Sequence, residues 1–118
     1  MITELLKLQN QIRVFHWGCD TYSEHKALGK AYEELDELID TFIEVFQGKY
    51  AKIKGREGFV ISLVNYEGSN IVAFIDKNIE YLVGMTDKLE GEYTDELLNI
   101  RDEMVATLQK LKYLLTLK

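Results

Sequence analysis

The side chains best suited to chemistry in this sequence are two histidines and two carboxylates. His16 and His25 are the only histidines of the chain, and Asp40 and Glu44 stand one helical turn apart in the acidic segment that follows them. Imidazole nitrogens and carboxylate oxygens are the donors that iron and manganese accept. The sequence therefore predicts one candidate metal site, composed of His16, His25, Asp40 and Glu44.

The same residues also have a purely structural interpretation. Asp40 and Glu44 belong to an acidic run that is typical of a solvated helix face, and the histidines could be surface or interface residues without a metal. On a helix that turns about 100° per residue, Leu35, Ile39 and Phe42 form an apolar stripe along one side. Both carboxylates then lie well away from this stripe, toward the opposite side of the helix. A metal site at these carboxylates would therefore need a second subunit or the outer edge of the first helix.

No other chemistry is indicated by a motif. Cys19 has no nucleophile signature around it. Gly55 and Gly58 are not followed by the Lys-Ser or Lys-Thr of a phosphate-binding loop. We therefore predict no catalytic residues.

The composition limits the class of protein. The chain has 118 residues, 47% of them hydrophobic, which suits one helical domain spanning residues 1–118. Its formal net charge is −6 at pH 7, and its basic residues are dispersed. A protein held on nucleic acid by phosphate contacts needs a concentrated basic face, so we expect no nucleic-acid partner.

The cellular location is predicted from the cysteine content and the hydropathy. Cys19 is the single cysteine and has no partner within the chain, which is usual in a reducing compartment. Met1 leads directly into an amphipathic pattern rather than a signal peptide, and no apolar run reaches the ~20 residues that span a bilayer. We expect a cytoplasmic protein with no membrane partner.

Helical periodicity of apolar residues occurs in four segments. The predicted helices cover about 3–17, about 22–48, a stretch capped by Ser69 or Asn70 that ends at Gly84, and a last stretch capped by Thr94. Thr21 and Glu24 have the spacing of a capping box, which would start the second helix. The absence of proline agrees with long uninterrupted helices.

The three-to-four spacing of apolar residues also predicts the core. Its expected members are Leu8, Ile12, Phe15, Leu35, Ile39, Phe42, Ile75, Ile79, Leu82, Met104, Leu108 and Leu111. The buried side of the third helix is expected to include Val72 and Val83 as well. Ile43 and Val45 lie off the main stripe of the second helix, where a partner would cover them best, so we predict a homodimer or larger homo-oligomer.

The segment of residues 49–67 interrupts the helical pattern with glycines and β-branched residues. It is either a crossover that contains a short helix or a small hairpin. We favour the crossover, because an isolated hairpin is marginally stable unless it packs on another element. Four helices with such a link indicate an all-α four-helix bundle, and the pattern alone does not choose between a ferritin-like bundle and a plain up-and-down one.

The first part of the chain, about residues 5–47, resembles the Dps family, the mini-ferritins. The matching residues are the pair His16 and Trp17 near the end of the first helix, His25 at the start of the second, and Asp40 and Glu44 farther along it. The resemblance implies a ferritin-like four-helix bundle with a long crossover between helices 2 and 3. It also implies iron bound at a subunit interface, with the histidines from one subunit and the acidic pair from its partner.

The sequence departs from the Dps pattern at two places. The loop from His16 to His25 is shorter than is usual in the family, and Gly29 stands where the family has an acidic ligand. Losing a carboxylate ligand weakens divalent-metal affinity, so we expect weak or no ferroxidase activity. The alternative is a non-enzymatic helical structural or interaction protein, such as a phage or bacterial accessory protein, that has lost the metal site.

Overall fold

Four α-helices dominate the structure, a computed structural model that describes residues 1–54, 58–66, 70–85, 89 and 94–117. The helices are α1 Ile2–Gly18, α2 Tyr22–Lys49, α3 Ile71–Gly84 and α4 Asp95–Leu115. The described residues contain no strand, which confirms the predicted all-α class. None of these helices is long and apolar enough to cross a membrane, as judged over the described part of the chain.

The ends of the helices follow from local capping residues. The Thr21 hydroxyl oxygen accepts a hydrogen bond from the Glu24 backbone N–H at 3.2 Å, which confirms Thr21 as the N-cap at the predicted start of α2. The Asn70 side chain accepts from the Ala73 N–H at 2.9 Å and caps α3, while Ser69 lies outside the described residues. Thr94 immediately precedes α4, as predicted, but its side chain makes no cap hydrogen bond.

Helix α2 is the centre of the packing: it contacts α1 on one side and α4 on another, and α3 packs against α4. Lys49 Nζ at the end of α2 lies 3.9 Å from Glu96 Oε1 at the start of α4. Lys112 Nζ near the end of α4 lies 2.6 Å from Asp76 Oδ1 in the first half of α3. Helix α4 is therefore antiparallel to both neighbours, so α2 and α3 run in the same direction.

The core contains the predicted residues, and one of them is less buried than expected. All of the expected core positions are buried except Ile79, which is half-buried against the core. Two predictions for α3 were wrong, because Val72 and Val83 are exposed. Helix α3 is apolar around most of its circumference, so its sequence does not say which side faces α4; Ile75 and Leu82 occupy that position.

Two apolar residues of α2 that lie off its main apolar stripe are not exposed, although the homo-oligomer prediction assumed that they were. Ile43 and Val45 are half-buried and pack against the core. They therefore do not supply the exposed apolar surface on which the predicted homo-oligomer was based. The exposed apolar residues lie elsewhere, mainly at the α1–α2 turn, in residues 59–64 and on α3.

The described residues between α2 and α3 form neither a helix nor a strand. Val64 contacts the middle of α1, where the Gln11 side chain donates to its carbonyl at 2.7 Å and accepts from its N–H at 2.8 Å. The Tyr66 hydroxyl donates to Glu24 Oε2, in the first turn of α2, at 2.8 Å. The segment that follows the carboxyl-terminal end of α2 therefore contacts the amino-terminal end of the same helix at Tyr66. Gly55 lies outside the described residues.

Candidate functional site

The tight turn between α1 and α2 brings the two histidines into contact. Their rings are stacked, with centroids 3.8 Å apart and planes inclined by 19°. His16 Nδ1 lies 2.7 Å from the His25 carbonyl oxygen, and His25 Nδ1 lies 2.9 Å from the His16 carbonyl oxygen. The short loop therefore produces a reciprocal histidine pair that joins the end of α1 to the start of α2.

The hydrogen bonds of this pair determine which ring nitrogens carry protons. A carbonyl oxygen only accepts, so each Nδ1 must donate its hydrogen. In the neutral form of His16 and His25 the lone pair is then on Nε2. Histidines that bind metals usually have this arrangement, with the other ring N–H donated to a carbonyl or carboxylate.

Gly29 makes room for the ring of His16. A Cβ atom at position 29 would lie 2.7 Å from His16 Cε1 and 3.0 Å from His16 Nδ1, which is closer than real Cβ contacts. Glycine therefore has a steric role at position 29. With any other residue at position 29, the His16 ring or the backbone of α2 would have to shift.

The stacked rings limit how the pair could bind a metal. An ion bound by imidazole lies along the nitrogen lone pair, in the ring plane, at about 2.0–2.1 Å. The planes of His16 and His25 are nearly parallel and stand about one ring thickness apart. In this conformation each histidine can offer one nitrogen to an ion, but both cannot bind the same ion unless a ring rotates.

A hydrogen-bonded carboxylate lies beside the turn. Glu24 accepts from the Thr21 hydroxyl at 2.9 Å and from the Tyr66 hydroxyl at 2.8 Å. The bond to Glu24, together with desolvation, raises the pKa of Tyr66 to about 12. Burial and the nearby Glu24 charge raise the pKa of the Cys19 thiol, which disfavours the reactive thiolate.

An exposed aromatic cluster lies next to the histidine pair. The Arg13 guanidinium lies 4.9 Å from the Trp17 ring centroid and 5.0 Å from that of Tyr32, and it donates to the Tyr32 hydroxyl at 3.0 Å. Trp17 is 65% exposed. Arg13 and Tyr66 were not predicted as site residues, because their partners come from other elements and no local motif marks them.

The predicted carboxylates are not brought to the histidines within one chain. Asp40 and Glu44 are exposed on the outer part of α2, as the helical-wheel argument predicted. At a rise of about 1.5 Å per residue, Asp40 lies roughly 22 Å along the helix from His25. Among the described residues, no group of three or more histidine, cysteine or acidic side chains is arranged to hold a metal ion. The four predicted site residues can meet only across two chains.

Comparison with known proteins gives a family but no function. Residues 16–115 match DUF5856, a family of unknown function. The chain belongs to this family. In this DUF5856 chain the matched region begins at His16 and contains the histidine pair, Gly29, Asp40 and Glu44. Neither the curated proteins nor the solved structures gave a match to the DUF5856 chain.

Proposed function

We propose that this chain is a divergent ferritin-like helical protein that binds iron at a subunit interface, with weak or no ferroxidase activity. The observation that carries the proposal is the reciprocal histidine pair, in which both Nδ1 atoms donate to carbonyls and both Nε2 atoms are left as metal-ligand nitrogens. A histidine pair needed only for surface charge would not require this fixed tautomer. We expect the protein to act in the reducing cytoplasm, since Cys19 has no partner within the chain.

The arrangement of the helices supports the ferritin-like part of the proposal. A ferritin-like bundle has one long connection that returns along the molecule, so that the second and third helices run in the same direction. Helices α2 and α3 have this relation here, as inferred from the contacts of α4 with each of them. The contacts of Val64 with α1 and of Tyr66 with the start of α2 support a connection between helices 2 and 3 that crosses the bundle.

The residues present fit a weak site rather than a strong one. In this conformation one histidine of the pair can supply one nitrogen to an ion, Asp40 and Glu44 of a neighbouring subunit would supply carboxylate oxygens, and Gly29 supplies none. Iron accepts this donor set. With fewer protein ligands, water would complete the coordination shell, which lowers affinity.

Anaerobic titration with ferrous iron tests the proposal. We expect saturable binding to the wild-type protein that is lost in both His25→Ala and Asp40→Ala. Glu37→Ala is the matched control, because Glu37 is an exposed carboxylate on the same helix. Negligible binding to the wild type, or equal binding to all four proteins, would refute the iron site.

Mixing the two variants that are expected to lose iron binding tests whether the site is shared between subunits. A mixed dimer of His25→Ala and Asp40→Ala has one site with both donors removed and one site with both donors intact. We therefore expect the mixture, after subunit exchange, to recover part of the lost iron binding. Recovery would not occur if the donors acted within one chain.

A second candidate is a non-enzymatic helical structural or interaction protein. The observation that favours it is the mutual hydrogen bonding of His16 and His25, which fixes the α1–α2 turn without any ion. The close approach of Gly29 to His16 serves the same structural purpose. This function predicts no iron binding together with a loss of stability in His25→Ala, so the same variants distinguish it from the first.

A further inference from the structure

A groove between α2 and α4 carries charges of opposite sign at its two ends. At one end it is lined by Lys30 of α2 and Lys110 of α4. At the other end it is lined by Glu37 of α2 and Glu103 of α4. Within the described part of the chain, none of these four side chains is in an ion pair. The α2–α4 groove is therefore basic at one end and acidic at the other, and its charges are free to meet a partner.

The midpoint of the α2–α4 groove is a hydrogen bond between its two walls. The Thr107 hydroxyl of α4 donates to Glu34 Oε2 of α2 at 3.3 Å, and both residues line both ends of the groove. On α2, Lys30 precedes Glu34 by four residues and Glu37 follows it by three. The two charged residues of α4 stand at the same intervals from Thr107. Each charge thus lies about 4.5–6 Å along the helix from the midpoint, positive on one side and negative on the other.

We propose that the α2–α4 groove is the surface on which two copies of this chain form a dimer. The two-fold axis lies in the interface, at right angles to α2 and level with Glu34, so that the two grooves run antiparallel. Lys30 of each copy then lies opposite Glu37 of the other, and Lys110 lies opposite Glu103. Each of these pairs occurs twice, because the interface is isologous.

Charge complementarity is the reason for choosing a second copy as the partner. A wholly acidic or wholly basic surface would be attracted to one end of the groove and repelled by the other. The partner must carry a basic and an acidic patch at the same spacing in the opposite order, and the groove itself meets this requirement. In the same register Leu38, at the acidic end, lies opposite Ala31, at the basic end, so a larger side chain meets a smaller one.

The α2–α4 groove lies on a different side of α2 from the candidate metal site. Glu34 contacts Thr107 of α4, whereas His25 contacts His16 of α1. The inference therefore does not rest on iron. The iron-site variants His25→Ala and Asp40→Ala should leave this dimer intact, so failure of the iron site and failure of the dimer are separate results.

Reversing the lysines tests the interface. Sedimentation velocity over a series of protein concentrations measures the dimer at physiological salt, where the screening length of about 8 Å makes facing charges matter more than net charge. Lys30→Glu combined with Lys110→Glu should weaken dimerisation by about tenfold or more, because like charges then face each other. Lys7→Glu combined with Lys77→Glu makes the same change in net charge at exposed positions outside the groove, and it should leave dimerisation unchanged.

Exchanging all four charges tests the antiparallel register. The variant combines Lys30→Glu and Lys110→Glu with Glu37→Lys and Glu103→Lys, so the basic and acidic ends of the groove change places. An antiparallel pair then brings opposite charges together again, and we expect dimerisation close to that of the wild type. A parallel pair would bring like charges together in both proteins, so it could not explain this recovery.

Glu34 gives a second test, because the two Glu34 side chains face each other at the axis. Glu34→Gln removes this contact of like charges and should tighten the dimer by about threefold or more, while the amide oxygen can still accept from the Thr107 hydroxyl. Circular dichroism checks that each variant folds. A monomeric wild type, a dimer that survives reversal of both lysines, a dimer that the fourfold exchange does not restore, or a dimer that Glu34→Gln fails to tighten would overturn the proposal.

Discussion

The contact between Gly29 and His16 connects a single residue type to the geometry of the whole turn. Glycine in the interior of a helix normally costs stability, because alanine forms helix better by about 1 kcal/mol. At position 29 glycine is nevertheless favoured, because a methyl group would clash with the His16 ring that is stacked on His25. Glycine at position 29 is therefore needed for the position of a histidine.

We predict that Gly29→Ala is neutral or destabilising, despite the gain in helix propensity, because of the clash with His16. In a His16→Ala background the clash is absent, and the same change should stabilise by about 1 kcal/mol. Gly48→Ala is the control, because no atom lies within 4 Å of a Cβ at that position of α2. Urea unfolding measures the free energies, and a clear stabilisation by Gly29→Ala alone would contradict the packing.

We predict a pH-dependent contribution from Tyr66. Its phenol donates to the Glu24 carboxylate, and the pKa is raised from 10.0 to about 12 in the folded protein. A raised folded pKa gives stability that is fully present below pH 10 and is lost as the pH rises toward about 12. Tyr66→Phe should cost about 1 kcal/mol at pH 8, with allowance for solvent screening of this partly exposed bond.

The comparison of Tyr66→Phe with wild type is made by chemical denaturation at a series of pH values. The difference in unfolding free energy should be constant up to pH 10 and shrink between pH 10 and about 12. A difference that grew over this interval would show that the hydrogen bond to Glu24 does not exist. Tyr113→Phe is a suitable control, because Tyr113 is an exposed tyrosine on α4.

At the scale of elements, α2 and α4 both begin after a threonine, but the two threonines differ in their hydrogen bonds. Thr21 accepts from the Glu24 N–H, whereas the Thr94 side chain makes no cap hydrogen bond. We therefore predict that Thr21→Ala costs about 1 kcal/mol and that Thr94→Ala costs much less. Thermal unfolding of both variants measures the difference, and equal costs would show that the cap at Thr21 contributes nothing.

At the scale of the whole molecule, one core joins α2 to α4. Leu35 on α2 and Leu108 on α4 are both fully buried in it. We predict that Leu35→Ala and Leu108→Ala each destabilise by about 2–5 kcal/mol, through lost apolar burial and the cavity left behind. Val83→Ala is the control, because Val83 is exposed, and it should cost far less. Unchanged stability in both leucine variants would mean that the helix faces are assigned wrongly.

Local sequence determined the helices and most of the core. The spacing of apolar residues and the pair Thr21 and Glu24 predicted the start of α2, and the same spacing predicted the burial of Leu35 and Leu108. These features depend on residues within a few positions of each other, so a helical period is sufficient to reveal them. The exposed positions of Asp40 and Glu44 on α2 followed from the same period.

Only the tertiary structure decided which distant residues meet. The pairing of Gln11 with Val64 and of Tyr66 with Glu24 joins segments that are far apart in the chain, and no local pattern specifies it. The exposure of Val83, on a helix with apolar residues around most of its circumference, depends on where α4 lies. The steric role of Gly29 could not be found from sequence either, since it exists only because the turn returns the His16 ring to that position. Contacts of this kind depend on the relative placement of elements, which local periodicity does not contain.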